Sequence, residues 1–467
     1  MALSRFRYRS PFCMNILSGI VVAFTSGIYL CLVLLGAGGG QEDSLALSTR
    51  LLAITNSIWV LSSALGSVVL HTIGPGPCAA IGVSGYILYV GGLWYFGKTD
   101  VTTFPYIAAV IFGICAGLNF VANGYIMLCY PQEKEKGSFI TVNSGLMAMG
   151  SVIGGIIPLL IDRNVDSEGG VPESVYIAFI VIMFCTMICA CFLQPPNKIT
   201  RDDGTKVADI KYRGLYVELK ENIKSFKDRR FLMLIPCYFV SETYLVFLGS
   251  TNVWRNNLRT RCLSSFIAVV LQIPFSVGLQ QILDWPGWKR KKRALLGLAY
   301  VAVPLWAAWI WEIIRVKDWD RANPPTPMDW TDDGFAADFV LFILNWVSST
   351  LWQYLVLYYL GTMTNDPYTS SHYGGGFRSG LAAGEAFFFG IDSLEIPFIR
   401  EAGTIFALYA FGTLIFAYLG FYEVQDTMYF KEEHVVVPLE VMNKMRPDVV
   451  LDGEDPGIEP IEVLKKD

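Results

Sequence analysis

Pro11–Gly36 is a run of 26 residues without one charged side chain. A helix of about 20 apolar residues crosses the hydrocarbon core of a bilayer, and soluble helices seldom sustain such a run. Uncharged runs long enough to span recur at Leu51–Leu70, Cys78–Gly97, Phe104–Tyr130, Phe139–Ile161 and Ser174–Leu193. After a polar gap follow Phe231–Trp254, Cys262–Leu283, Ala294–Trp311, Phe339–Gly361, Tyr373–Ile391 and Gly403–Tyr422. Hydrocarbon offers no partner to an unpaired backbone group, so these twelve segments must be helices. The weakest of them is Tyr373–Ile391, which carries Arg378 and Glu385. Composition agrees: 53% of residues are hydrophobic, 16% are charged and the mean hydropathy is +0.44. Soluble domains carry about 25% charged residues. The expected class is an all-α polytopic membrane protein.

Arg5, Arg7 and Arg9 precede the first run, but that run is too long for a signal peptide and has no small-residue cleavage site. Orientation follows the distribution of Lys and Arg. With a cytoplasmic N-terminus, 26 of the 36 basic residues fall on the cytoplasmic side, including Arg378 and the dense segment Gln194–Arg230. Both termini are therefore expected in the cytoplasm, in the plasma membrane or an internal one. Arg255, Arg259 and Arg261 go against the bias. They face an aqueous vestibule, meet an anionic partner, or are tolerated exposed charge. The cysteines read as small packing residues, and His71, His372 and His434 are expected to form no cluster, so no metal site is foreseen.

The chain divides into a cytoplasmic N-terminus (1–10), six spans (11–193), a cytoplasmic linker (194–230), six more spans (231–422) and an acidic tail (423–467) expected to be largely disordered. The linker is expected to be solvated by default; the alternative for Leu215–Phe226 is a short amphipathic helix lying on the membrane surface. The two halves are comparable. "HTIGPG" (His71–Gly76) follows span 2, and "DWPGWKRKKR" (Asp284–Arg293) follows span 8. Each places a Gly three residues after the polar residue that closes the helix. This matches the Asp-x-x-Gly-Arg-Lys loop of the major facilitator superfamily, with Asp284, Gly287 and Arg290 as its gating residues in the second copy. The first copy has neither the acid nor the bases, and Gly76 stands where an Arg often follows Gly-Pro.

Four further stretches occur in order: "LLGAGGGQEDS" (Leu34–Ser44), "IGPGPCAAIGVSGYILYVGGLWYF" after span 2, "NNLRTRCLSSF" between spans 7 and 8, and "YGGGFRSGLAAGEAFFFGIDS" in span 11. Together they resemble the uncoordinated-93-like family of the major facilitator superfamily, its fungal-type members above all, over residues 11–422. The resemblance implies the major facilitator fold, two six-helix bundles around a cavity that opens alternately to each side. It also implies one of two functions: secondary transport, or an accessory role, since members are linked to potassium handling, channel regulation and receptor escort.

Glu242 is the only charge in Phe231–Trp254. A carboxylate near mid-bilayer costs roughly 2.5–3.5 kcal/mol on insertion scales and is by default a functional hypothesis. It is a candidate for binding a coupling proton or a cation, with Tyr238 one turn before it; the alternative is a hydrogen-bonded acid that fixes packing. Glu385 lies beside Gly376, Gly380 and Gly384, a stripe that lets another helix approach closely. It is expected either to share a proton with Glu242 or to pair with Arg378. Asn345, Ser349 and Gln353 in span 10 share a helix face, as do Asn119 and Asn123 in span 4 and Thr25 and Tyr29 in span 1. The resemblance implies that spans 1, 4, 7 and 10 line the cavity. No basic residue suited to anions is foreseen at mid-membrane. No phosphate-binding loop, nucleophile set or metal-ligand spacing is visible, so neither an enzyme nor a cofactor is expected. The expected partners are the lipid bilayer, a small solute or cation, and a membrane-protein partner in the accessory case, but no nucleic acid.

Overall fold

The computed structural model describes residues 6–30, 42–161, 173–202, 204–207, 212–432, 435–439 and 441–442. Most of "LLGAGGGQEDS", His434 and the tail from 443 onward lie outside the described residues. Among the described residues the chain is helical apart from turns and isolated bridges. Nine helices there are long and apolar enough to cross a membrane. They are spans 1–4, Pro11–Leu30, Arg50–Ile73, Pro75–Thr99 and Thr103–Cys129; span 6, Glu173–Ala190; and spans 8, 9, 10 and 12, Arg259–Leu283, Arg290–Val316, Phe335–Met363 and Phe398–Tyr422. Three predicted spans complete the series without meeting that test. Span 5 is Lys136–Ile161, span 11 is Pro367–Asp392 with its buried charges, and span 7 is broken.

Span 7 consists of Arg229–Met233, Ile235–Phe239 and Thr243–Arg255, joined by turns at Leu234 and at Val240–Glu242. Pro236, which cannot donate a backbone N–H, lies in the first turn of the middle piece. The sequence reading took this segment as one helix with Glu242 inside it. Instead Glu242 is the residue that opens the last piece, at φ −119° and ψ 3°. Such a break frees carbonyls inside the membrane, and neighbouring side chains bond two of them. Trp352 Nε1 donates to the Cys237 carbonyl (3.1 Å) and Gln353 Nε2 to the Ser241 carbonyl (3.2 Å), both from span 10.

The glycine stripe of span 11 is what receives this broken helix. A Cβ on Gly380 would stand 2.8 Å from the Tyr238 Cβ, one on Gly376 would strike the Phe231 ring, and one on Gly384 would overlap the Phe239 carbonyl. Gly384→Val therefore forces span 7 off span 11 at its break. It is expected to destabilise the solubilised protein by about 1–3 kcal/mol, the usual cost of overpacking. Thermal unfolding monitored by tryptophan fluorescence measures the shift. Gly390→Val is the control, since a Cβ there meets nothing within 4 Å.

Candidate functional site

A cavity of about 850 Å³ lies between the two halves. Its walls come from spans 1, 2, 3, 4, 5, 7, 8, 10 and 11, from Arg321–Pro327 between spans 9 and 10, and from Asp392, Glu395 and Phe398 at the connection of spans 11 and 12. Those two connections lie on the side opposite the N-terminus and the linker, so the cavity reaches toward that side. Span 1 contributes Ser26 and Tyr29, at and just beyond a π-helical turn, Ala23–Gly27, a local widening frequent at functional sites. Among the other lining residues are the aromatic side chains of Trp59, Phe120, Tyr244, Trp346 and Tyr354.

Three ionisable side chains face this space at the break in span 7: Glu242, Arg378 and Glu385. The Arg378 guanidinium stands 4.0 Å from Glu242 Oε1, with both side chains only 10–12% exposed. It also lies over the Phe120 ring, 4.2 Å from its centre, a cation–π contact that holds the plane of the guanidinium. Arg378 was read from sequence as a cytoplasmic charge; it is buried at mid-span, and the expectation that no basic group lies at mid-membrane is corrected with it. Its ion pair is with Glu242, from another helix, rather than with Glu385, which was one of two alternatives read from the sequence. Glu385, 7% exposed, lies on the same wall two turns along span 11. The signal in the sequence was an Arg seven residues before an acid in an apolar, glycine-rich helix, a charge that needs a partner from elsewhere.

Of the predicted polar residues, Tyr29, Glu242, Glu385 and Gln353 line the cavity, and the others face protein. Tyr238 is buried between Phe231 and Phe377 against the glycine stripe. Asn119 donates to Thr25 Oγ1 (3.3 Å), and Asn123 donates to Ser18 Oγ (2.9 Å) and Asn143 Oδ1 (3.0 Å), so both join helices within the first half. Asn345 donates to Glu312 Oε2 (3.2 Å), an acid of span 9 that also pairs with Arg315. Ser349 is fully buried. The i, i+4, i+8 face exists, but span 10 is packed on nearly all sides, so one face does not mean one environment. Of the three outer arginines, Arg255 and Arg259 pair with Asp338 and Asp329, and Arg261 lines the cavity.

On the side of the termini the halves are knitted shut. The Asp284 carboxylate accepts from Gly137 N (2.9 Å), Ser138 N (2.5 Å) and Ser138 Oγ (2.7 Å), capping the N-terminal end of span 5. Burial pushes its carboxyl up, against the pull of those donors. Arg290, 1% exposed, donates to Glu133 Oε1 (2.9 Å) and to the Gly361 carbonyl (2.8 Å). Lys136 donates to the carbonyls of Gly361 (2.5 Å) and Thr364 (3.2 Å) at the C-terminal end of span 10. An acid thus meets a helix N-terminus and a cation a helix C-terminus, both across the two halves. Gly287 sits in the turn beside Trp285. The tail's expected disorder is corrected for its first part. Met428 N donates to Glu133 Oε1 (2.9 Å), the Tyr429 hydroxyl accepts from Glu133 N (3.0 Å), and Glu432 Oε2 accepts from Asn365 N (2.7 Å).

The family model for the ion channel regulatory protein UNC-93 matches residues 50–283. An uncharacterized membrane protein of Schizosaccharomyces pombe is 31% identical over 402 residues, covering 85% of this chain and 81% of its own length. UNC93-like protein 1 of Arabidopsis thaliana is 27% identical over 402 residues, covering 85% and 87%. Among solved structures, a major facilitator superfamily transporter, FucP, in the outward conformation superposes with a TM-score of 0.60 at 11% identity, covering 89% of this chain and 98% of that one.

Proposed function

The chain belongs to the UNC-93 family and has the major facilitator fold, and from that premise we propose that it is a secondary transporter moving a small solute or cation by alternating access. Glu242 carries the coupling proton or cation. The observation that supports this is the placing of two acids and one arginine on the wall of the cavity, at the break of span 7. Transporters of this architecture bind substrate near the bilayer midplane beside discontinuous helices. Two carboxylates against one guanidinium leave the group short of a positive charge, which a proton or a bound cation supplies. The aromatic side chains among the lining residues suit an organic or partly apolar solute. We take the termini and linker to be cytoplasmic, so that the cavity is open to the opposite side and the knitted face is the cytoplasmic gate. The domain boundaries read from sequence, with the bundles at 11–193 and 231–422, serve as the two rocking bodies.

A second reading rests on the family's printed description, an ion channel regulatory protein. In it the chain binds a membrane-protein partner and the cavity is a relic.

Reconstitution in liposomes separates the two. Under an imposed proton gradient, solutes and cations are screened for uptake by the wild type and by Glu242→Gln. Glu242→Gln keeps the shape and hydrogen-bonding capacity of the side chain but cannot ionise. Gradient-driven uptake by the wild type that is lost in Glu242→Gln is the expected result. No flux of any solute by the wild type, or equal flux and pH dependence in both proteins, overturns the transporter assignment.

A further inference from the structure

The sequence places His71, Glu218 and His372 in three separate segments, and the fold brings them together. His71 ends span 2, Glu218 lies on the linker helix Leu215–Phe226, and His372 is in the second turn of span 11. All three are buried, and one ligand atom of each lies within 4.8 Å of the other two. The reading of three scattered histidines is thereby corrected for two of them. The linker helix is neither wholly solvated nor simply lying on the membrane surface, because its Glu218 is fully buried between the halves.

The hydrogen bonds around this cluster ask for a cation. The Ser371 hydroxyl donates to the Tyr368 carbonyl (2.6 Å), so it accepts from Nε2–H of His71 (2.7 Å). In a neutral His71 that leaves Nδ1 with a lone pair, 2.7 Å from Glu218 Oε2. The same Oε2 already accepts from the Tyr368 hydroxyl (2.8 Å). Two acceptors at this distance need a proton or a metal ion between them. His372 adds the second observation: it is 0% exposed, its Nδ1 is 2.7 Å from Ser67 Oγ, and its Nε2 has no hydrogen-bond partner among the described residues.

We propose that His71, Glu218 and His372 form a site for a divalent first-row transition metal, of the kind that zinc occupies. Two imidazoles and a carboxylate are a familiar open zinc set. Each ligating imidazole then has the outer hydrogen bond that such ligands use to fix their orientation, His71 to Ser371 and His372 to Ser67. Ligand atoms on a tetrahedral zinc lie about 3.3 Å apart, given bonds of about 2.0 Å, so the site closes by side-chain movement of an ångström or so. Because the three ligands belong to the first half, the linker and the second half, the metal ties all three together on the side of the termini. It holds that side closed, independently of what the central cavity carries. The position is also the counterpart of the Asp284 cap. His71 stands three residues before Gly74 as Asp284 stands three before Gly287, and it meets the start of span 11 as Asp284 meets the start of span 5.

The test uses the full-length, tag-free protein in nanodiscs, stripped with chelator and titrated with zinc alone or cobalt(II) alone. The expected result is about one zinc per chain, cobalt absorption bands of a tetrahedral site, and a zinc-edge X-ray spectrum showing two imidazoles. His372→Gln should weaken binding more than a hundredfold, and Ser67→Ala by about 10–100-fold through loss of the outer hydrogen bond. The spectra are read on the wild type, so they decide the matter even if a histidine variant fails to fold. Wild type that takes up no zinc, a spectrum without imidazole ligands, or equal affinity in a folded His372→Gln overturns the site.

Discussion

Arg378→Leu lowers the stability of the solubilised protein by about 3–5 kcal/mol, the cost of leaving a buried partner charge uncompensated. The reason lies in the surroundings of the guanidinium. It has Glu242 at 4.0 Å on one side and the Phe120 ring at 4.2 Å on the other. Removing it leaves two carboxylates on one wall of the cavity and strips the ring of its cation. Replacing Glu242 as well, in Arg378→Leu/Glu242→Gln, removes one of the stranded charges, and the double variant is more stable than Arg378→Leu alone. Arg378→Lys recovers only part of the loss, because an ammonium cannot lie flat on Phe120 while reaching Glu242. Thermal unfolding of the wild type, Arg378→Leu, Glu242→Gln and the double variant in one detergent gives the coupling directly. Additive effects, with no recovery in the double variant, would mean that water already screens the pair.

The sequence carried the spans and their pairing into halves, because hydrophobic length is a local property and lipid admits few alternatives. It also carried Glu242 and Glu385, since an isolated acid in a long apolar run is conspicuous without any knowledge of its neighbours. What it hid was long-range. Arg378 was counted with the cytoplasmic charges although it fell inside a predicted span, because its partner is 136 positions away. His71, Glu218 and His372 come from segments separated by up to 301 positions, and no spacing rule connects them. The break in span 7 was signalled only by Pro236, and the side chains that make it tolerable, Trp352 and Gln353, belong to another helix. Periodicity failed in span 10 for a related reason. It places Asn345, Ser349 and Gln353 on one side of the helix, yet the neighbour changes from span 9 at Asn345 to the break of span 7 at Gln353.

The gate on the side of the termini gives the second large effect. In Arg290→Ala the Glu133 carboxylate keeps the Met428 and Asn365 donors but loses the buried guanidinium, and the Gly361 carbonyl loses a donor. Breaking a buried pair in this way costs about 3–5 kcal/mol. Here the cost falls on the closed arrangement, because Arg290 and Glu133 come from opposite halves. A shift of that size is enough to move a two-state equilibrium from mostly closed to mostly open. In a background without native cysteines, Leu357→Cys in the cavity wall should become labelled from the side of the termini in Arg290→Ala and stay protected without that change. The response to pH separates this from general loosening. Burial by itself would raise the Glu133 carboxyl, but Arg290, Asn365 and the Met428 N–H outweigh it and hold the group below its ordinary value. A carboxyl lowered on closing stabilises the closed state above its ordinary value and loses that contribution only as pH falls through the lowered one. The wild-type gate is therefore unchanged between pH 8 and about 5 as far as this group is concerned. Without Arg290 the burial effect is opposed by less, the carboxyl rises, and acidification protonates it and restores part of the closure. Labelling of Arg290→Ala that falls from pH 8 to pH 5 is the expected outcome; labelling that is low at both pH values would show that Glu133 and Arg290 do not hold the gate.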